Sequence, residues 1–328
     1  MARHDRAGTD WRKRLARRHR QAPRRRRSQS LTPRQVVLLA ALTPAVAAVV
    51  ARRRLRLPRP ATLAIVSVTP LVVAALTPRR GWRYAAIWLA YMWSFTVTWN
   101  LPNENPEKLR GRLRVDYPIR IDTLIGLGAP PTLRLQRALR DPLRVTRLDR
   151  LVTLIYGSWI LPHCLLAWLL FRHPEYVPRA AGRLAAAYHL TAPFYYLLPT
   201  APPWWASEHA GRLDGEVERV RRLVVNSLLG RPARSTATPE GNPWGSMPSD
   251  HVASAAITAI GLAEVNRVYG ALGWTYVGLA GFAVVYLGEH YVIDSLAGLA
   301  IAVAIHAGEP LVTPLVDRVV VGLDRIAT

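Results

Sequence analysis

Long apolar runs separated by short arginine-rich connectors constrain this chain more than any other feature of its sequence. A run of roughly 15 to 20 apolar residues, coiled as a helix, matches the thickness of a hydrocarbon core, and a helix satisfies its own backbone polar groups there. Eight such segments are read, at about residues 36–50, 61–77, 83–100, 150–171, 179–199, 250–266, 271–288 and 291–306. Proline and arginine mark many boundaries, as in "RLPRP", "TPRRGWR" and "FRHPEYVPR". Trp82, Trp99, Trp204 and Trp205 stand near segment ends, as an aromatic belt requires. The chain is therefore expected to be an all-α, polytopic membrane helix bundle. The first segment is short for a span, and an interfacial or cleaved segment stays open for it.

Half of the 328 residues are hydrophobic, yet the formal net charge is +23, because the two properties are segregated along the chain. Residues 1–35 are almost pure arginine and polar residues. With membrane spans following, they read as a disordered basic arm beside an anionic membrane face, and no nucleic-acid partner is expected. A basic stretch leading into "VVLLAALTPAVAAVVA" also has the look of a secretion signal. Residues 36–80 form accessory N-terminal helices, 81–306 the main membrane domain and 307–328 a C-terminal tail. The single cysteine, Cys164, excludes an internal disulfide and reads as a small buried hydrophobe. Lysine and arginine divide equally between the two sides of an eight-span arrangement, so charge does not orient the chain. The connectors 101–149 and 200–248 mix apolar residues with charge at helical spacing and read as interfacial helices, long enough to carry function.

Two polar clusters interrupt the apolar pattern. In "VVYLGEHYVIDSLAGLA", His290 and Asp294 are four apart and share a helix face, so the carboxylate can fix the imidazole tautomer. In "WGSMPSDHVASAA", a membrane helix opens on Pro248, Ser249, Asp250 and His251. From His251 to His290 is 39 residues, enough for one helix to cross and a second to return, so both histidines reach one membrane surface. Ser249 and Asp250 can cap a helix whose free N–H groups favour a phosphate. One imidazole can attack phosphorus while the other donates to the leaving oxygen, and arginine can neutralise the remaining oxygens. No metal or cofactor is required by this layout.

These residues carry a family resemblance. "MPSDH" followed by "GEHYVIDSLAG" resembles the second and third signature motifs of the type 2 phosphatidic acid phosphatase (PAP2) superfamily. "PTAPPWWA" and "GNPWGSMPSDH" resemble its branch similar to inositol phosphorylceramide synthase. The resemblance covers about residues 83–306, with its specific motifs in 199–298. It implies a six-helix core with about two extra N-terminal helices, His290 as nucleophile, Asp294 behind it, His251 as acid and base, and Ser249 on the phosphate. It also implies an extracytoplasmic site, in the plasma membrane. The first family motif, Lys, six residues, then Arg-Pro, is altered: Arg231–Pro232 is present, but Val224 stands where Lys is expected. Val284 stands where the third motif has arginine, and Asp250 where the second often has glycine. The phosphate clamp therefore falls to Arg222, Arg221 and Arg231, in that order.

Implied partners are the bilayer, a lipid-linked phosphate or phosphodiester substrate, and water or a polyol or sugar hydroxyl as acceptor. Trp204 and Trp205 read equally as interface anchors or substrate contacts. His163 and His189 read as packed, hydrogen-bonded interior residues, Glu208 and His209 as solvated loop residues, and Gly298 as a site of close helix packing. A non-catalytic transporter with polar residues lining a pathway is the competing class.

Overall fold

The computed structural model describes residues 33–77, 82–101, 109–233, 235–236 and 243–327, which form an all-α fold. All eight apolar segments are helical. They are α1 (Pro33–Val50), α2 (Arg59–Leu76), α3 (Trp82–Asn100), a rod made of α6 (Arg147–Gly157) and α7 (Leu161–Arg172), α8 (Val177–Leu197), α11 (Asp250–Val265), α12 (Arg267–Tyr286) and α13 (Val292–Ala327). The long connectors supply α4 (Asp116–Ile125), α5 (Pro131–Leu139), α9 (Pro203–Ala210) and α10 (Val220–Leu228), short helices as expected for interfacial elements. Among the described residues, four stretches are long and apolar enough to cross a membrane: Arg59–Leu76, Arg147–Arg172, Arg267–Tyr286 and Val292–Val319. The basic arm read at 1–35 lies outside the described residues up to residue 32.

Local chemistry explains where the helices begin. Proline opens α2, α5, α7, α8 and α9, where its missing N–H is no loss. Thr146 and Asp149 form a reciprocal capping box at α6. Asn266 caps α12, accepting from the Val268 N–H at 2.8 Å, and so fixes the turn between α11 and α12.

Helix α11 is the axis of the bundle, packed by α12, α13 and α8. Its buried face is mostly alanine, at Ala253, Ala255, Ala256 and Ala259, so neighbouring backbones approach closely. Gly298 on α13 makes the tightest of these approaches. A Cβ there would meet the Ser249 carbonyl oxygen at 2.4 Å and the Ala253 nitrogen at 3.2 Å. Gly298→Ala is expected to push α13 off the start of α11, at a cost of about 1–3 kcal/mol. A lowered unfolding midpoint in detergent checks this.

Two sequence expectations change. Segment eight does not end at residue 306: α13 continues as one helix to Ala327, through Pro310 and Pro314. Cys164 is exposed on α7 rather than buried, because that face of the rod looks outward.

Far from the starts of α11 and α13, five ionisable side chains join three helices. Arg183 donates from Nη2 to Glu264 (2.9 Å) and Glu309 (2.5 Å) and lies 3.1 Å from His306 Nδ1. Arg179 bonds the same two carboxylates, Glu309 at 2.6 Å and Glu264 at 3.0 Å. Charges within a span are tolerated when paired like this, and the cluster ties α8, α11 and α13 together.

Candidate active site

The opposite ends of those helices converge on the two polar clusters. Ser249 is the N-cap of α11, its Oγ accepting from the Val252 N–H at 3.5 Å. Its own N–H donates to the Asp294 carbonyl oxygen at 2.9 Å, which joins the start of α11 to the start of α13. Asp250 is not a cap. It is the first helical residue, and its carboxylate accepts from Thr191 Oγ1 of α8 at 2.6 Å.

The 39-residue return path closes with the rings of His251 and His290 6.0 Å apart, edge to face. His290 Nδ1 lies 2.8 Å from the Ser246 backbone oxygen and 3.5 Å from Asp294 Oδ2. A carbonyl only accepts, so Nδ1 carries the proton and Nε2 of the neutral ring keeps its lone pair. Asp294 is fully buried and held from two sides, by Ser246 Oγ at 2.5 Å and the Tyr291 N–H at 2.9 Å. His251 is stacked on Tyr156 of α6, with centroids 4.3 Å apart, and its buried Nε2 makes no hydrogen bond among the described residues.

Cations reach this pair from the stretch at and before α10. Arg219 grips Glu289, the residue before His290, with Nε to Oε1 at 2.8 Å and Nη2 to Oε2 at 3.3 Å. Arg221 Nε reaches the same Oε1 at 3.1 Å, and its guanidinium lies 5.4 Å from the Tyr156 ring. Arg221 thus touches a neighbour of each histidine, Glu289 beside His290 and Tyr156 against His251. Arg222, the first candidate by sequence, pairs with Glu208, so Glu208 is a counter-ion on α9 rather than a solvated loop residue. Arg231 is exposed beyond the end of α10 and stands outside the cluster. Trp204 is buried under the Arg219 guanidinium, 4.2 Å away, and is not placed as a membrane anchor; Trp205 stacks on His209. Burial raises the Glu289 carboxyl, but Arg219 and Arg221 outweigh it and hold it down at about 2.

A family model described as the PAP2 superfamily matches residues 119–308, more than half of the chain. The chain belongs to the PAP2 superfamily. That membership fits a lipid phosphatase or phosphotransferase. No curated protein and no solved structure matches the chain.

This PAP2-superfamily chain supports its site with residues that sequence reasoning passed over. Val284, where the third motif has arginine, is buried in an apolar cluster with Val252 and Val285. The cations come instead from Arg219 and Arg221. Gly288 adopts φ +75°, and a Cβ there would meet the Glu218 carbonyl at 2.9 Å. That close approach sets the irregular 217–219 segment against the His290 loop. Gln136 of α5 clamps the same contact, donating to the Glu218 and Tyr286 carbonyls at 2.9 and 2.8 Å. Asp122 of α4 caps α13, accepting from the N–H groups of Val292 (2.8 Å) and Ile293 (3.0 Å). Ser246 and Glu289 lie inside the quoted motifs. Asp122 and Gln136 carry no sequence signal that links them to the site.

Burial pushes the Asp122 carboxyl from 3.8 up to about 6, against the lowering effect of its two backbone bonds. A carboxyl with a raised folded-state pKa favours folding fully below its unfolded value, and that contribution is lost as pH rises through the folded value. Stability from this group should therefore decline between pH of about 4 and 6. Asp122→Asn is expected to flatten the dependence; unfolding midpoints of both proteins across that range check it.

Proposed function

We propose that the protein transfers a phosphoryl or phosphodiester group from a lipid-linked substrate, through a phosphohistidine on His290, to water or to a polyol or sugar hydroxyl. The observation that carries this reading is the hydrogen bond from His290 Nδ1 to Ser246, which leaves Nε2 as a nucleophile beside a second imidazole. Nε2 attacks phosphorus, the bond to the leaving oxygen breaks, and His251 gives that oxygen its proton. An acceptor hydroxyl then attacks phosphorus and passes its proton to His251, and the N–P bond breaks. The Ser249 hydroxyl, which accepts from the α11 backbone, keeps its own hydrogen to donate to phosphate. Arg221, which bonds Glu289 and lies over the ring that stacks on His251, is the clamp residue this reading selects.

The head-group transferase reading has its own support. "PTAPPWWA" and "GNPWGSMPSDH" are bonded to each other: the Thr200 N–H donates to the Trp244 oxygen at 2.9 Å, and the Ser246 N–H to the Thr200 oxygen at 3.3 Å. The two segments that resemble the inositol phosphorylceramide synthase branch thus meet at the residue that orients His290.

Purified protein supplied with labelled lipid phosphates, with and without inositol, tests the proposal. Label should appear as free phosphate or on the polyol, and vanadate should suppress it. Absence of turnover for every lipid sinks the reading. We further propose a plasma-membrane location with an extracytoplasmic site. Helix α13 starts at the site and is long enough to carry the chain to the other face, so a C-terminal reporter should sit in the cytoplasm.

A further inference from the structure

We infer that Glu289 sets the charge of the phosphate group the site accepts, favouring a singly charged phosphodiester over a doubly charged phosphomonoester. The inference rests on the phosphotransfer reading and adds a specificity determinant to it. Arg219, Arg221 and Arg222 each bond a carboxylate, the first two the one beside His290. Glu289 takes two of them and Glu208 the third. Among these five described side chains, one net positive charge remains. Arg219 and Glu289 are almost completely buried, at 4% and 8% side-chain exposure, so water screens their charges little.

Glu289 is the residue next to the proposed nucleophile, so a phosphorus atom at His290 has this carboxylate as a neighbour. A diester brings one negative charge and balances the cluster. A monoester near neutral pH brings almost two, and Glu289 repels the second. Arg219 and Arg221 keep Glu289 ionised, so the discrimination fades only where the monoester itself takes up its second proton, below pH of about 6. It acts through Arg219 and Arg221 and is a positioning and selectivity residue rather than a catalytic one.

The test compares kcat/KM for a lipid phosphodiester and a lipid phosphomonoester of the same acyl chains. Wild type should favour the diester. Glu289→Gln keeps the shape and an oxygen for the arginines but removes the charge. It should lower the diester-to-monoester ratio at least tenfold, chiefly through a lower KM for the monoester. Glu289→Asp keeps the charge and should keep the ratio, which a merely structural role would not do. Should Glu289→Gln fail to fold, Arg221→Gln subtracts one positive charge and should move the ratio the other way, against the monoester. A wild-type preference for the monoester, or a ratio unmoved in these variants, overturns the inference while phosphotransfer stands. Wild-type turnover of neither class overturns both.

Discussion

Replacing His290 with alanine is expected to abolish transfer, lowering turnover by roughly 10⁴-fold or more, since the covalent route itself is removed. The ring is held by a loop whose backbone bonds do not involve the imidazole: the His290 N–H donates to the Val284 oxygen at 3.0 Å, and Asp294 accepts from Tyr291. The variant should therefore fold, and loss of activity should appear without loss of helix content. His251 is not a substitute, because its ring is fixed against Tyr156. Single-turnover labelling makes the test specific. Wild type should acquire an acid-labile, base-stable label from a lipid phosphate, and His290→Ala none. His251→Ala should still accept label, slowly. A transporter with the same residues would turn over no lipid at all and would move its cargo without labelled protein.

The second large effect is expected at Asp294, and here distances decide its size. Where a carboxylate alone fixes the tautomer of a catalytic histidine, its amide replacement presents the wrong proton pattern and costs about 10⁴-fold. In this site the Ser246 carbonyl is nearer to His290 Nδ1 than Asp294 is, 2.8 Å against 3.5 Å, and a carbonyl imposes the tautomer unaided. Asp294→Asn should then forfeit only the electrostatic support of the imidazolium and part of the grip on Ser246. A fall in kcat of roughly 10²–10³-fold is expected, the size seen when one preorganised electrostatic partner is lost. KM should change little. A fall as deep as that of His290→Ala would mean that the carboxylate, not Ser246, sets the ring.

The comparison between sequence and structure turns on how far apart in the chain the cooperating residues are. His290 and Asp294 are four residues apart, although His290 sits in the turn just before α13, and His251 is one crossing and one return away, so spacing and span length are enough to bring them together. Ser249 as cap was legible from its place before an apolar run. The clamp was not, because cation position depends on which carboxylate each arginine meets. Arg222 looked best by proximity to the Arg-Pro motif, yet Glu208 holds it, whereas Arg219 drew no attention and lies against Glu289. Asp122 is an acid among apolar and basic residues in a connector, and its partners are 170 and 171 positions further on. Only tertiary packing of α4 on α13 makes it a cap. Asp250 shows a subtler limit: its helical position was readable, but a neighbouring helix supplied Thr191 as a better partner than the backbone.

The ion cluster of Arg179, Arg183, Glu264, His306 and Glu309 has a mechanical consequence when set beside the bonds at the other face. Helices α8, α11 and α13 are latched twice, by a cluster of ion pairs at one end and by single hydrogen bonds at the other, Thr191 to Asp250 and Ser249 to Asp294. A prism fastened at both ends neither splays nor twists without breaking one set of bonds. The separation of His251 from Asp294 is thus fixed by the frame, and the reacting groups need no rearrangement at the moment of transfer. The compliance needed to admit the proposed lipid-linked substrate falls to the walls outside that prism. The α6–α7 rod is the wall that touches His251, and it is broken by the 3₁₀ turn Ser158–Ile160, which starts two residues after Tyr156.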